Sequence, residues 1–407
     1  MKKKIYKVIA CALAGSLLLA GCGQSGSSSS GSQTSDQSTV NAGDTSSAAD
    51  QSKKEKKEAP EIAGLTYKST MDLEYATEFD IYYYEGGYKL IDVHEDRQYL
   101  VVPEGKEAPE DLDEDIVVLE QPLDHIYMAA TAVMSLFDEI DGLDNVKFSG
   151  VTADGWYVDN VKTAMNEGKI TYAGKYSEPD YEMLVDGECN LAVESTMILH
   201  TPKVQEMIED LDIPVFVDYS SYEGNPLGRT EWVKLYGAML NKEDQAGEFF
   251  EREAKIVDDL EGFKNTEKTV AYFYVNSDGS IVVRKSEDYI PSMIEIAGGR
   301  YAFKDLKNPD SNAPSVKLTM EEFYATAVDA DYLIYNGTID GQVSSISDLE
   351  AKNELFADFK AVKDGNVWYT GKNLYQATDK TGELIKDIHL MLTGKDQDQM
   401  TFLEKMQ

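Results

Sequence analysis

The chain has 407 residues, 42% apolar and 28% charged, which excludes an integral multi-span membrane protein and a wholly disordered one and is long enough for two ordinary domains. Its 74 acidic residues against 38 basic ones give a formal net charge of −36, which argues against nucleic acid as a partner, because phosphate binding needs a surplus of Lys and Arg. Cys11, Cys22 and Cys189 form no CxxC pair, and His94, His125, His200 and His389 show no HExxH spacing, so no metal ligand is assigned and no structural zinc or iron–sulfur centre is expected.

In chain order, the amino end reads as an address. Lys2, Lys3, Lys4 and Lys7 form a basic head, and Val8 to Ala20 is apolar but for Ser16. As a helix that stretch would reach only ~20 Å, short of the ~30 Å hydrocarbon core, so it fits an export signal over residues 1–21 rather than a spanning helix. Leu19-Ala20-Gly21-Cys22 resembles a bacterial lipobox, which implies cleavage before Cys22, lipidation of its thiol and amine, and a firm membrane anchor. Cys189 would then be the one free thiol. Residues 22–63 read as a Ser/Gly-rich tether too poor in apolar side chains to offset its ordering entropy, with a reach of ~35 Å.

From Thr66 to Val102 the pattern predicts a β-meander: Phe79–Tyr84, the turn Gly86-Gly87, Tyr88–Val93 and Gln98–Val102. An acidic loop leads to a strand at Ile116–Leu119. Helical spacing follows over Ile126–Ile140. Short strands at Lys169–Tyr172, Asn190–Val193 and Pro214–Val217, with a helix over Thr201–Leu211, argue for a parallel sheet wrapped by helices. Apolar residues then recur at helical spacing over Glu231–Phe263, the longest such stretch, with Asn241 as a possible brief break. A second series follows: strands Thr269–Val275 and Ser280–Arg284 around the turn Asn276–Gly279, helix Pro291–Ala297 stopped by Gly298-Gly299, helix Met320–Ala327 capped by Thr319, strand Tyr332–Tyr335, helix Leu349–Asp358, strand Asn366–Tyr369 and helix Gly382–Leu392. The expected layout is an N-terminal lobe at 64–230, a connecting helix at 231–263 and a C-terminal lobe at 264–407.

Several stretches are specific: Gly155-Trp156-Tyr157, Ala173-Gly174-Lys175-Tyr176, Pro179-Asp180-Tyr181-Glu182, Glu194-Ser195-Thr196-Met197 with His200-Thr201-Pro202, and Pro226-Leu227-Gly228-Arg229-Thr230-Glu231-Trp232. With the order of elements from about Gln121 to Gly394, they resemble the class III substrate-binding lipoproteins of bacterial ABC importers for iron complexes, haem and cobalamin. The resemblance implies an α/β fold of two doubly wound lobes joined by one long α-helix, like a periplasmic binding protein. It implies partnership with an ABC permease and ATPase, a small-molecule metal complex as ligand, and a lipid-anchored monomer on the extracytoplasmic face of the membrane. No cofactor and no catalysis are implied. Asn225 departs from the His expected before Pro226, which bears on ligand choice.

A cleft between such lobes is lined by loops at the carboxyl ends of the parallel strands. That rule nominates Tyr127, Trp156, Tyr157, Ser195, Met197, Tyr222 and Arg229 from the first half, and Arg284, Tyr335 and Tyr375 from the second. Aromatic faces with a few Arg suit a flat or multi-ring ligand bearing acidic groups. Each residue also has a structural reading: Trp156 and Tyr157 as core aromatics under a loop, Arg229 as a partner of Glu231, His125 and His200 as hydrogen-bonded framework. The family further implies a surface Glu on each lobe that pairs with permease Arg. Glu321 fits in the second lobe, and Glu206 or Glu231 in the first, although Glu321 is also what a helix dipole favours in a first turn. Within this role the resemblance implies a ferric siderophore or similar chelate as the expected ligand, with haem or cobalamin as alternatives. Other classes are a secreted lipid-anchored hydrolase, against which stands the lack of GxSxG, HExxH and a phosphate loop, and a wall-associated scaffold, against which stands the lack of repeats.

Overall fold

A computed structural model describes residues 58–407, apart from 95, 261–262, 308–312 and 340–342. The export signal, Cys22 and the tether up to residue 57 lie outside the described residues.

The first sheet follows chain order: Tyr67–Thr70, Phe79–Tyr84, Lys89–Val93, Gln98–Val102 and Ile116–Glu120. The first four strands are antiparallel neighbours and the fifth runs parallel to the fourth. One face puts Phe79, Ile81, Ile91, Val93, Tyr99 and Val101 into the main core, with Phe79 edge-on to Trp232 at 5.0 Å. The other face buries Tyr82, Tyr84, Leu90 and Leu100 with Ile62 in a small core of its own. The strand at Ile116 therefore belongs to the meander, not to the first lobe's parallel sheet.

That parallel sheet has the spatial order Val215–Asp218, Leu191–Ser195, Ile126–Met128, Val146–Ser149 and Thr171–Tyr172. Chain order reverses between Ile126–Met128 and Leu191–Ser195, and a ligand crevice belongs outside the carboxyl ends at such a reversal. Helices Thr131–Glu139, Asp159–Asn166, Tyr181–Asp186 and Pro202–Glu209 make the crossovers. The predicted helix Ile126–Ile140 is thus a strand followed by a helix. An all-apolar run buried on both sides reads alike in either form.

The second lobe carries a mixed sheet, Ser315–Leu318, Ile281–Arg284, Thr269–Val275, Tyr332–Tyr335, Val367–Thr370 and Leu403–Lys405, with Arg300–Tyr301 added beside Thr269–Val275. Phe273, Phe323, Phe356 and Phe359 stack over it. The predicted helix Leu349–Asp358 is a helix at Ile346–Lys352 followed by a 3-10 turn at Glu354–Asp358, because Asn353 leaves helical geometry and caps the turn through Leu355 N.

The connection is two helices, Pro226–Leu240 and Glu243–Asp258, not one rod over Glu231–Phe263. Asn225 caps the first: its Oδ1 accepts from Leu227 N at 2.9 Å, and Pro226 fills the position where no N–H is needed. Asn241 adopts the left-handed conformation, φ 57°, and stops the helix. The second helix folds back along the first, with Lys234 over the Phe250 ring and Gly237 against Ala246. A Cβ on Gly237 would lie 2.7 Å from Ala246 Cβ, so the close crossing requires glycine. No helix among the described residues is long and apolar enough to cross a membrane. Two α/β lobes joined by long helices complete the architecture.

Candidate ligand site at the lobe seam

The seam is closed by the second lobe's Lys372–Gln376 and Thr378–Lys380 turns, which lie against Thr131–Glu139 of the first lobe. Gln376 is buried there. Its Oε1 accepts from Tyr157 N at 2.7 Å, and its Nε2 donates to Gly155 O at 2.9 Å and to the Tyr375 hydroxyl at 2.8 Å. Thr230 Oγ1 donates to Thr378 O at 3.2 Å. Tyr157 and Tyr375, both exposed, meet edge to face at 6.4 Å.

Beside this contact lies a cavity of about 100 Å³, lined among others by Arg229, Tyr272, Arg284, Tyr289, Asn336 and Tyr375. Drug-sized ligands occupy ~300 Å³ or more, so the lobes stand too close here for a multi-ring chelate. The charge is asymmetric. Arg229 stacks on the Tyr289 ring at 4.2 Å, and its Nε is buried with no hydrogen-bond partner among the described residues. Arg284 approaches the same ring at 5.8 Å and pairs with Asp288 at 3.4 Å. Asp288 also caps Tyr289–Ile296 through Ile290 N. Burial raises the Asp288 carboxyl above its usual range, against the pull of Arg284 and Arg229. Asp218 feels Arg229 too, but its oxygens are held by Ser220 and the Tyr236 hydroxyl. Among the described residues no carboxylate forms an ion pair with Arg229, which therefore supplies guanidinium charge to the cavity wall, an arrangement that suits an anionic group.

The structure brings together Arg229, Arg284, Tyr375 and Tyr157 of the residues nominated from sequence. Others lie elsewhere. Trp156 is fully buried, its Nε1 donating to Ser149 Oγ at 3.0 Å. Tyr127 is a strand residue, fully buried, with its hydroxyl on Gly174 O at 3.0 Å. Tyr335 packs edge-on to Phe273 in the second core. These three are framework, because strand pleat and loop cover turn their rings inward. Ser195 caps the turn Thr196–His200 through Met197 N, Met197 is exposed, and Tyr222 packs edge-on to Tyr219 at 5.4 Å. Gln376 and Tyr272 were not nominated, and no local motif marks either.

Glu231 is no surface acid. It is fully buried and accepts from the backbone N–H groups of Glu74, Tyr75 and Ala76 at 2.7–3.1 Å and from Lys234 Nζ at 2.7 Å. It staples the approach to the first sheet onto the connecting helix, so it faces no partner and does not pair with Arg229. Glu206 and Glu321 are exposed, the latter in the first turn of a helix closed by a Thr319–Glu322 capping box.

A larger hollow of about 510 Å³ opens beneath the first sheet, next to Asn241. Two of its polar side chains are already engaged: Lys89 Nζ reaches Ala238 O, Asn241 Oδ1 and Glu243 at 2.5–2.7 Å, and Gln121 bonds Met239 O and Asn241. Size alone does not make it the ligand site.

The sequence profile of the periplasmic binding protein family matches residues 130–374. The chain belongs to the periplasmic binding protein family. This binding protein is 28% identical over 299 residues to an uncharacterized lipoprotein of Methanocaldococcus jannaschii, covering 70% of this chain and 69% of that one. It shares its fold with a periplasmic binding protein from Veillonella parvula, with TM-score 0.54, 14% identity and coverage of 67% and 91% of the two chains. It does so equally with a periplasmic haem-binding protein of Vibrio cholerae, with TM-score 0.53, 15% identity and coverage of 66% and 98%. A possible iron-binding, periplasmic solute-binding protein from Staphylococcus epidermidis gives TM-score 0.51 at 16% identity, covering 66% and 98%. The first sheet of this binding protein precedes the matched residues.

Proposed function

We propose that this protein captures a small anionic metal complex, a ferric siderophore or similar chelate, and delivers it to an ABC importer without chemical turnover. Lipidated Cys22 would hold it at the extracytoplasmic face of the membrane. The observation that carries the reading is Arg229: a guanidinium spread on an aromatic ring at the wall of the inter-lobe cavity, with a buried Nε that no acceptor among the described residues meets. An unmet buried donor costs about 1–3 kcal/mol, and an anionic ligand group would offset that cost. Tyr289 and Tyr375 line the same cavity, and Tyr157 meets Tyr375 edge to face, so aromatic area lies close at hand. Solved relatives that share the fold include one named as haem-binding and one as possibly iron-binding, which supports a metal complex as the ligand class. Glu206 and Glu321 are the exposed acids proposed to meet the permease, one on each lobe.

The test is a fluorescence titration of the purified protein with ferric siderophores, haem and cobalamin. Saturable binding of a ferric chelate at one per chain, weakened about 100-fold in Arg229→Ala, is expected from loss of a charge-assisted contact. Preferential binding of haem or cobalamin replaces the siderophore assignment. Unchanged affinity in Arg229→Ala, or turnover of the ligand, overturns the reading.

A further inference from the structure

The outward face of the first sheet carries a cluster that the ligand seam does not use. Strand Phe79–Tyr84 pairs antiparallel with Lys89–Val93, and the register sets Asp80 directly opposite Asp92. Directly opposed residues hold their Cβ atoms about 5 Å apart, and two carboxylates placed so repel. On the next strand Gln98 stands opposite Asp92, so the row offers no cation from that side. His94, in the turn just past Lys89–Val93, reaches back toward this row, its Nε2 2.9 Å from Asp80 Oδ2. One ligand atom from each of the three lies within 4.8 Å of the others, and all three side chains are half-buried.

The geometry points to a divalent transition-metal site formed by Asp80, Asp92 and His94. An ion pair between His94 and Asp80 accounts for two of the three groups and leaves the Asp92 carboxylate facing Asp80. A divalent cation answers all three. Two carboxylate oxygens and one imidazole nitrogen are a donor set for first-row divalent ions, with affinity rising toward copper and zinc. Three protein ligands leave coordination positions open to water. The incoming ion takes the place of the proton held between Nε2 and Oδ2, and that proton leaves to solvent.

The support is rigid. His94 N donates to Glu78 O at 3.0 Å, and the amides of Thr77 and Glu78 are pinned by Glu223 at 2.9–3.1 Å. Asp80 and Asp92 are borne on paired strands, and ligands so placed keep their spacing better than ligands on loops, while His94 stands in the turn just after Lys89–Val93. The strands lie ahead of the residues matched by the family, so this site is independent of the inter-lobe seam.

The test is calorimetric titration of the chelator-stripped, full-length protein with Zn²⁺ in excess Mg²⁺, which occupies weak sites among the many surface acids. One saturable zinc site per chain is expected, weakened about tenfold or more in both Asp92→Asn and His94→Gln. Zinc should also shift the ring-nitrogen resonances of His94 rather than those of His125, His200 or His389, a readout that needs no variant. No saturable site in the native protein, equal zinc affinity in Asp92→Asn, or shifts confined to the other histidines would overturn the assignment.

Discussion

The side-chain amide of Gln376, in the second lobe, clasps the first-lobe backbone at Tyr157: Oε1 takes the Tyr157 N–H while Nε2 holds Gly155 O. Two hydrogen bonds from one buried side chain join the lobes at the mouth of a cavity too small for the proposed ligand. Opening of the seam must break them. Each is worth about 1 kcal/mol net, and a change of 1.4 kcal/mol moves a two-state equilibrium tenfold. Gln376→Ala is expected to shift the protein toward an open state. Hydrogen exchange at the Tyr157 amide should accelerate about tenfold and the radius of gyration by X-ray scattering should increase. If both stay at native values, the clasp does not govern opening.

Glu231 gives a prediction that separates framework from docking. Its carboxylate serves three backbone donors and Lys234 with no access to solvent. Breaking a buried charged network by removing one side typically costs about 3–5 kcal/mol. Glu231→Ala should lose stability of that order in denaturant melts, with Glu231→Gln losing less because it keeps one acceptor. Glu206→Ala and Glu321→Ala should leave the melts unchanged. A Glu231→Ala protein of native stability would contradict the staple.

Glu194 is buried at the carboxyl end of strand Leu191–Ser195, and neither carboxylate oxygen has a hydrogen-bond partner among the described residues. Burial alone pushes its carboxyl well above the ordinary range. The folded protein therefore holds a proton that the unfolded chain has released, and stability falls as pH rises from the ordinary carboxylate range toward the raised value. Glu194→Gln removes that titration. It should melt higher than the native protein at pH 7 to 8, by a margin that shrinks as pH approaches 4. A margin independent of pH would show that Glu194 is not the group responsible.

At Gly237 two effects oppose each other. Alanine gains about 1 kcal/mol of helix propensity over glycine. Its Cβ would sit 2.7 Å from Ala246 Cβ, on the helix folded back against it, and 3.0 Å from Lys242 O, in the turn that leads into that helix. Overpacking of this kind costs about 1–3 kcal/mol, so Gly237→Ala should be net destabilising by about 1 kcal/mol in urea. Stabilisation instead would mean that the helical hairpin can part freely.

Much of the layout is written in local pattern. Phe79–Tyr84, Lys89–Val93 and Gln98–Val102 are strands where alternation and the Gly86-Gly87 turn put them, and Met320–Ala327 starts at the cap that Thr319 announces. The connection was harder to read. Apolar spacing runs almost unbroken from Trp232 to Leu260, and only the left-handed turn at Asn241 converts a rod into a hairpin. Arg229 and Arg284 could be nominated because Arg beside aromatics at strand and helix ends is chemically conspicuous.

Composition, period and punctuation were sufficient to announce two strand–helix halves, an acidic surface and a small set of cationic and aromatic candidates, since these properties belong to neighbours along the chain. They could not say that Trp156, Tyr127 and Glu231 turn inward, that Gln376 meets Tyr157 across the seam, or that Asp80, Asp92 and His94 come together at ligand spacing. Those outcomes depend on strand register and on contacts between residues as far as 221 positions apart. Burial and pairing there are properties of the packed whole, and no local window contains them.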